Sequence, residues 1–467
     1  MVAFYALVLL AVMPQMLVQD SWLAFLSGRE IVANGLPKTD TLAVWTAGVG
    51  WIDQQWLAQV ALYGLVSAGG VGLALLAHVA LLIAAFGGAL AASRSLGASP
   101  KSAALVGMLC MFVAPWGLQL RTQTFAIPLF VALLWLLAAD SRAPSRRVLL
   151  VLPLLVLWAN LHGTVVLAAL LVALRGVTLA FAALRGSHRP AGWLGRSLAL
   201  GVLPFACLFA SPYGLALGDY YRTMLVSPLL RSFVDEWGAS VPSTNTVGFY
   251  LVAGVVVALL LRHRSRLTGF EQLALLALLA AGGSAIRSIT WFALAAAVLL
   301  PLLLDGLFSE RRRSRDWSVL RRPAAVAALA MVVASLVVAA ARPASWWMTG
   351  WPTGGAEHVA ALVAERPGAK VFADDRYADW LVWEQPQLAG RIAYDVRFEL
   401  LTRKQLDDLV AFRNHTGDGW LRAIAGYDVL LVDHPLQPSF VGRVSAAGGY
   451  ELTYRDRWFT VLAAPRA

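Results

Sequence analysis

The sequence predicts an α-helical polytopic membrane protein carrying a small C-terminal α/β domain outside the membrane. Three observations lead there. The chain of 467 residues is 59% hydrophobic and only 14% charged, which is not the balance of a soluble protein. Its apolar residues gather into runs of membrane-spanning length. From residue 342 those runs stop, and short apolar stretches alternate with amphipathic ones.

About eleven apolar runs are long enough, or nearly so, to count as spans. They lie near 1–19, 57–92, 102–117, 124–139, 147–159, 163–184, 196–211, 246–261, 270–282, 288–305 and 323–341, the second with a break at Gly69 and Gly70. The first run has no basic segment ahead of it and leads straight into an acidic loop, so it reads as a retained membrane helix. Arg175 falls within the sixth run and is expected to snorkel to the inner face.

The formal net charge of +11 suggests a nucleic-acid binder until the charges are placed. Most of them sit in short loops, and they alternate. One set of loops holds seventeen basic residues, ending in Arg311, Arg312, Arg313, Arg315, Arg321 and Arg322. The intervening loops hold six: Arg29, Lys38, Arg121, Arg222, Arg231 and Arg287. The positive-inside rule therefore puts the N-terminus in the cytoplasm and the loop 20–56 outside. An odd number of spans puts the C-terminus outside too. The basic residues set topology, and no nucleic-acid partner is implied. Cys110 and Cys207 both fall in apolar runs, so neither a disulfide framework nor a cysteine metal site is indicated.

Two regions follow: a transmembrane domain over 1–341 with its first external loop at 20–56, and an extracytoplasmic domain over 342–467. In the second, AKVFADD, RYADWLVWEQ, GRIAYD, TRKQLDDLVAFRNH, DVLLVD, YELTYRD and WFTVLAA read as strand, helix, strand, helix and three strands, a small α/β layer structure. Trp346, Trp347 and Trp351 precede it, where an interfacial aromatic belt is expected. With 14 basic and 15 acidic residues, this tail is no electrostatic trap for an anionic polymer. Asp374, Asp375, Trp380, Trp383, Asp395 and Arg397 are its binding candidates, although aromatics at 380 and 383 on a helix fit a core equally well.

The loop 20–56 carries four acids, Asp20, Glu30, Asp40 and Asp53, and four tryptophans, Trp22, Trp45, Trp51 and Trp56. A carboxylate at a membrane boundary is costly unless it has a partner or a task. In the predicted topology other polar residues reach the same outer side. They are Gln55, then Arg121, Thr122 and Gln123, then Asn160 and His162 in WANLHG, then Asp219, Arg222, Asp235, Glu236 and Trp237, and finally Arg287. Singly each has a structural explanation: a helix cap for Asp20, a lipid-phosphate anchor for Arg121 or Arg287, a solvated corner for Asp235 and Glu236. Together they imply a mixed-charge cavity open to the outside.

A lipid-phosphate-linked sugar needs such a cavity. Inverting transfer to an acceptor hydroxyl requires one carboxylate as base, here Asp20 or Asp40. It requires positive charge on the departing phosphate, from Arg287 or Arg121. Around the sugar it requires aromatic and amide groups, offered by Trp22, Trp51, Gln55, Asn160 and His162. No further cofactor is required, and a divalent cation on the phosphate is the one addition left open.

The run D-S-W-L-x4-G-R-E-I-x3-G-x-P-x-x-D followed by W-x4-W-L resembles the first external loop of bacterial GT-C-type membrane glycosyltransferases, in a largely uncharacterised branch. WANLHG, the stretch from Ser211 to Trp237, the Arg287 segment and VFADDRYADWLVW…AYDVRFEL resemble later landmarks of that branch. The resemblance implies a polyprenyl-phosphate-sugar donor, an extracytoplasmic glycan, lipid or protein acceptor, and a place in the bacterial cytoplasmic membrane facing the cell envelope. It implies that Asp20 is the base and Asp40 the branch's second acid. The chain departs from the pattern where Gln55 replaces an acid before Trp-Leu and Tyr394-Asp395-Val396-Arg397 replaces Asp-Gly-Arg. The competing readings are a non-catalytic lipid-glycan binder or assembly protein of the same fold, and a transporter. A transporter would carry a repeat and mid-membrane charge; no repeat is visible, and Arg175 is nearly the whole of such charge.

The topology is open to a direct check. In a Cys110→Ser, Cys207→Ser background, Asn34→Cys should react with a membrane-impermeant maleimide added to intact cells, and Arg264→Cys should react only after lysis. The reverse pattern would invert the assigned orientation.

Overall fold

A computed structural model describes residues 1–185, 192–227, 233–307, 318–414, 416–417, 419–433 and 438–465. Of the topology-setting residues, Arg189, Arg231, Arg311, Arg312, Arg313 and Arg315 lie outside them. The chain divides into two compact units. The first joins Met1–Met16, Gly69–Gly218 and Val234–Arg342, and the second joins Leu17–Ala68, Asp219–Phe233 and Pro343–Ala467.

Helices stand at every expected apolar run. Among the described residues five are long and apolar enough to cross a membrane: Trp56–Ser95, Thr122–Arg142, Val165–Arg185, Val247–Arg266 and Ile286–Leu304. The other runs hold helices such as Val2–Val12, Pro100–Cys110 and Val151–Ala159, of 11, 11 and 9 residues. At 1.5 Å per residue these rise only about 14 to 17 Å, roughly half of a bilayer core. The chain is a multi-pass membrane protein, and counting the bent pair Val2–Gln15 and Gln19–Asn34 as one span brings the number of such helices among the described residues to six.

Trp56–Ser95 runs for 40 residues, about twice a span, and breaks at Gly69 and Gly70 as the sequence suggests. Gly70 has φ of +68°, a conformation that glycine adopts without steric cost. The boundary between the two units falls at this break.

In the first unit the helix Ile289–Leu304 is buried along nearly its whole length. Its sequence, ITWFALAAAVLLPLLL, is apolar on every side, as a central helix must be. Buried charge is paired at two points. Thr268 and Glu271 form a capping box at the start of Gly269–Ser284, and Glu271 also binds Arg142 at 2.7 and 3.0 Å. Arg175 does not snorkel. It is buried, and its Nε donates to Asp140 at 2.9 Å. Arg196 pairs with the same carboxylate, and the Ser145 N–H donates to it at 2.8 Å.

The second unit is built on a four-stranded sheet. Strands β1 (Val371–Ala373), β2 (Val429–Asp433), β3 (Glu451–Arg455) and β4 (Phe459–Ala463) lie in the order β1-β2-β4-β3. β1 and β2 are parallel, and the remaining pairs antiparallel. The expected strand at GRIAYD does not form. Ile392 makes only isolated bridges, to Val371 on one side and Ala43 on the other. Beyond it the chain turns so that Asp395 and Arg397 meet. The loop 20–56 is also less open than expected, because Gln19–Asn34 is a helix. Gly28 on that helix permits its contact with Trp56–Ser95: a Cβ there would stand 2.2 Å from the Gln59 carbonyl oxygen. Trp351, expected in an interfacial belt, instead packs on Trp22, Tyr377 and Trp380.

The Asp140 cluster yields a stability test. Removing one partner strands buried cations, so Asp140→Asn should lower unfolding stability by roughly 3–5 kcal/mol. Adding Arg175→Met should recover part of that loss, read as melting temperatures of the purified protein in detergent.

Candidate functional site

In the first unit a small cavity is lined by Trp116, Gly117, Gln119, Arg121, Gln123, Thr124, Ile127, Glu236, Arg287 and Thr290. Arg121 precedes a 3-10 turn, Thr122–Phe125, leading into the helix Ala126–Arg142. His78 fixes that turn. Its Nε2 meets the Leu118 carbonyl at 2.8 Å and its Nδ1 meets the Thr124 hydroxyl at 2.9 Å. A carbonyl can only accept, so Nε2 carries the proton and Nδ1 accepts from Thr124.

Arg287 comes from the turn between Gly269–Ser284 and Ile289–Leu304. The segment Asp235–Trp237 is fastened to the same turn: Ile286 N–H donates to the Gly238 carbonyl at 3.1 Å, and Ser240 N–H to Gly283 at 3.1 Å. The Arg287 guanidinium lies 4.0 Å from the centre of the Trp237 ring, a cation–π contact. Arg121 holds Glu236 through two parallel hydrogen bonds of 2.8 Å, the fork geometry of a strong pair. Burial pushes the Glu236 carboxyl up, but the hydrogen bonds from Arg121 and the charges of Arg121 and Arg287 outweigh it, and the net shift is downward. Three buried polar atoms of the lining, Trp116 Nε1, Gln119 Oε1 and Thr290 Oγ1, have no hydrogen-bond partner. Such atoms suit a site that takes a polar ligand.

A second small cavity is lined by Leu82, Phe86, Cys110, Met111, Ala114, Gly117, Leu118, Ile127, Thr290, Ala293 and Leu294. It is almost wholly apolar and shares Gly117, Ile127 and Thr290 with the first. Gly117 is required where they meet, since a Cβ would stand 2.7 Å from the Thr290 hydroxyl.

Of the residues expected from sequence, Arg121, Arg287 and Glu236 come together here; Asn160, His162 and Asp235 are not among the lining. The Asn160 amide donates to the Val156 and Ala210 carbonyls at 2.9 and 2.8 Å, which joins two helix ends. His162 Nδ1 accepts from the Thr164 N–H at 3.2 Å. Burial, and then the charges of Arg287 and Arg121, push the His162 imidazole down to about 3, so it is neutral at physiological pH. Asp235 opens the short turn that presents Glu236.

In the second unit the first-loop residues surround Arg397. Its guanidinium bonds Asp40 at 2.7 Å and Asp395 at 3.0 and 3.1 Å, and it lies 4.2 Å from the centre of the Trp51 ring. Asp40 also accepts from Thr46 Oγ1 at 2.5 Å and from the Leu42 N–H at 3.0 Å, and it is 1% exposed. It is a structural anchor, not an available base. Asp20 stands in the first turn of Gln19–Asn34, half-buried. Its charge is felt by Asp379 and Glu399. Trp22 is fully buried against Phe25, Trp351 and Trp383. Trp51 is taken by Arg397, so neither ring is a platform for a sugar. Gln55 is half-buried just before Trp56–Ser95.

The tail candidates resolve into structure. Asp374 caps the helix Asp375–Glu384 by accepting from the Arg376 N–H at 3.1 Å, and Asp375 pairs with Arg413. Trp380 lies in the core, and Trp383 packs on Trp22 and Phe25. Sequence reasoning missed Asp53, Asp379 and Glu399. Burial raises all three carboxyls against the opposing charge of Arg397, Asp53 and Glu399 to about 7 and Asp379 well above the usual range. It also missed His78, Trp116, Gln119 and Thr290, whose only signal was a polar group inside an apolar run. Among the described residues, no group of three or more His, Cys, Asp or Glu side chains is arranged to hold a metal ion.

No protein-family model matches this sequence, and no curated protein matches it. Solved structures do match its fold. ArnT from Cupriavidus metallidurans, bound to undecaprenyl phosphate, superposes with a TM-score of 0.53 at 16% identity over 99% of this chain and 98% of that one. The oligosaccharyltransferase AglB from Archaeoglobus fulgidus, in complex with an inhibitory peptide and a dolichol-phosphate, gives 0.51 at 12% identity over 92% of this chain and 69% of that one. The chain has the GT-C-type fold of polyprenyl-phosphate-dependent membrane glycosyltransferases.

The raised carboxyls predict a pH dependence. An unfolded Asp titrates near 4, whereas Asp53 in place titrates at about 7. The folded state therefore binds more protons between these values, and stability falls as pH rises through the window. Asp53→Asn should raise the melting temperature at pH 8, leave it unchanged at pH 4, and flatten the slope between them.

Proposed function

We propose that this protein is a membrane glycosyltransferase that moves a sugar from a polyprenyl-phosphate donor to an extracytoplasmic acceptor. The observation that carries the proposal is the pair of adjacent cavities, one holding two arginines and unpartnered polar atoms, the other apolar, with Gly117, Ile127 and Thr290 in both walls. A ligand with an anionic head and a hydrocarbon tail suits that combination. The GT-C-type fold, shared with proteins solved with undecaprenyl phosphate and dolichol-phosphate, supports the same ligand class.

In this reading Arg121 and Arg287 bind the phosphate and stabilise charge that develops on it as the sugar departs. Trp116, Gln119 and Thr290 supply hydrogen bonds at the head of the lipid. Asp20 is the base. The assignment to Asp20 follows the resemblance of its loop, in which it is the first acid; the Asp40 carboxylate is bonded by Arg397, Thr46 and Leu42. The reaction inverts the anomeric carbon, since a base activates the acceptor for a single displacement. The acceptor is a glycan, lipid or protein on the outer face of a cytoplasmic membrane. A divalent cation on the phosphate is compatible with this arrangement and is tested by adding a chelator.

Purified protein in lipid nanodiscs, given a panel of radiolabelled polyprenyl-phosphate sugars, tests the proposal. Wild type should bind one of them and release or transfer its sugar. Asp20→Asn should keep binding and lose roughly 100-fold or more in turnover. Arg287→Ala should weaken binding about tenfold or more, as expected for a lost charge-assisted contact. Binding with no turnover in any variant would make the protein a lipid-glycan binder.

A further inference from the structure

Glu236 puts a negative charge in a cavity that, on the reading above, receives an anion. Anion binding by itself does not require it. The carboxylate takes both arms of the Arg121 fork at 2.8 Å, and it lines the cavity together with Arg287. Its side chain remains 32% exposed and that of Arg121 21% exposed, so a ligand can reach both. Among the described residues, the charged side chains that line the cavity are Arg121, Arg287 and Glu236.

Sugar transfer changes the charge of the ligand. The donor is a phosphodiester with one ionised oxygen. Transfer breaks the bond from the anomeric carbon to the phosphate oxygen and forms a bond from that carbon to the acceptor oxygen. The acceptor proton goes to the base, and the electron pair stays on the phosphate oxygen. The lipid left behind is a phosphomonoester, whose second ionisation lies near pH 6. At neutral pH and above, the ligand therefore passes from one negative charge towards two.

We propose that Glu236 is a charge selector, matching this cavity to a monoanionic prenyl phosphodiester and disfavouring the dianionic monoester that transfer leaves behind. The inference rests on the lipid-phosphate reading of the cavity. A diester shares Arg121 with Glu236 and draws on Arg287. A dianion needs a second full cation, and the one within reach is already held by a carboxylate. Like charges at this range repel even where solvent partly screens them. Glu236 thereby sets a preference for donor over spent lipid and favours release of the spent lipid.

The test uses a short-chain prenyl monophosphate and its methyl diester as probes, with protein in nanodiscs at pH 8. Wild type should bind the diester about tenfold more tightly than the monoester. Glu236→Gln keeps the size of the side chain and removes its charge. It should tighten monoester binding about tenfold while changing diester binding less than threefold. Glu236→Asp, which keeps the charge, should keep the wild-type preference. A wild-type preference for the monoester overturns the proposal without any variant. So does a Glu236→Gln protein with an unchanged melting temperature that binds both probes as wild type does, or that loses both equally. In each of those cases Arg121→Ala still reports on the lipid-phosphate reading through its loss of binding. If wild type binds neither probe, that reading fails and the selector falls with it.

Discussion

The second unit depends on one buried cation. Arg397 is 4% exposed, and an arginine so placed is tolerable only if most of its charge and hydrogen-bonding capacity is met. Asp395 meets it from two residues away. Asp40 meets it from 357 residues earlier in the chain, and Trp51 offers its ring face. Once that ion pair forms, the segment around Asp40 has to lie beside the tail. The backbone follows: Val44 N–H donates to the Ile392 carbonyl at 2.8 Å, Trp45 N–H to Ala393 at 2.9 Å, and Trp45 stacks on Tyr394. Three more acids, Asp53, Asp379 and Glu399, stand within the electrostatic reach of Arg397 and exceed what one cation can neutralise. Burial pushes their carboxyls above the usual carboxylate range instead.

The first unit faces the opposite problem, because it is apolar almost throughout and has to hold a few polar groups in place. Several of them are fixed by another. His78 holds the turn that presents Arg121, and Gly283 and Ile286 hold the segment that presents Glu236 and Trp237. Asp140 gathers Arg175 and Arg196. In a low-dielectric setting a loose polar side chain is costly and a fully bonded one is rigid. Trp116 Nε1, Gln119 Oε1 and Thr290 Oγ1 are among the buried atoms that lack a partner, and they line the cavity with the two arginines.

The apolar runs were legible because burial in a bilayer leaves a helix no choice of composition. The same holds for the break at Gly69 and Gly70 and for the strands VFA, VLLVD and FTVLA, whose patterns are local. GRIAYD failed as a strand for a reason that no local pattern carries: the turn after it is set by Asp395 and Arg397 closing on Asp40. Trp22 and Trp351 misled in a similar way. A tryptophan near a membrane boundary has one composition signal, whether it lies in a belt, stacks on a sugar or fills a core, and here both fill a core.

By itself the sequence determined the class of protein, the positions of the helices and the α/β character of the tail. Those follow from hydropathy, periodicity and charge bias, which act over a few turns of chain. Only the tertiary structure decided which of the acids is engaged. Asp40 is locked by an arginine far along the chain, and Glu236 by Arg121. Ion pairs are chosen by distance in space, and in one dimension every carboxylate looks equally free.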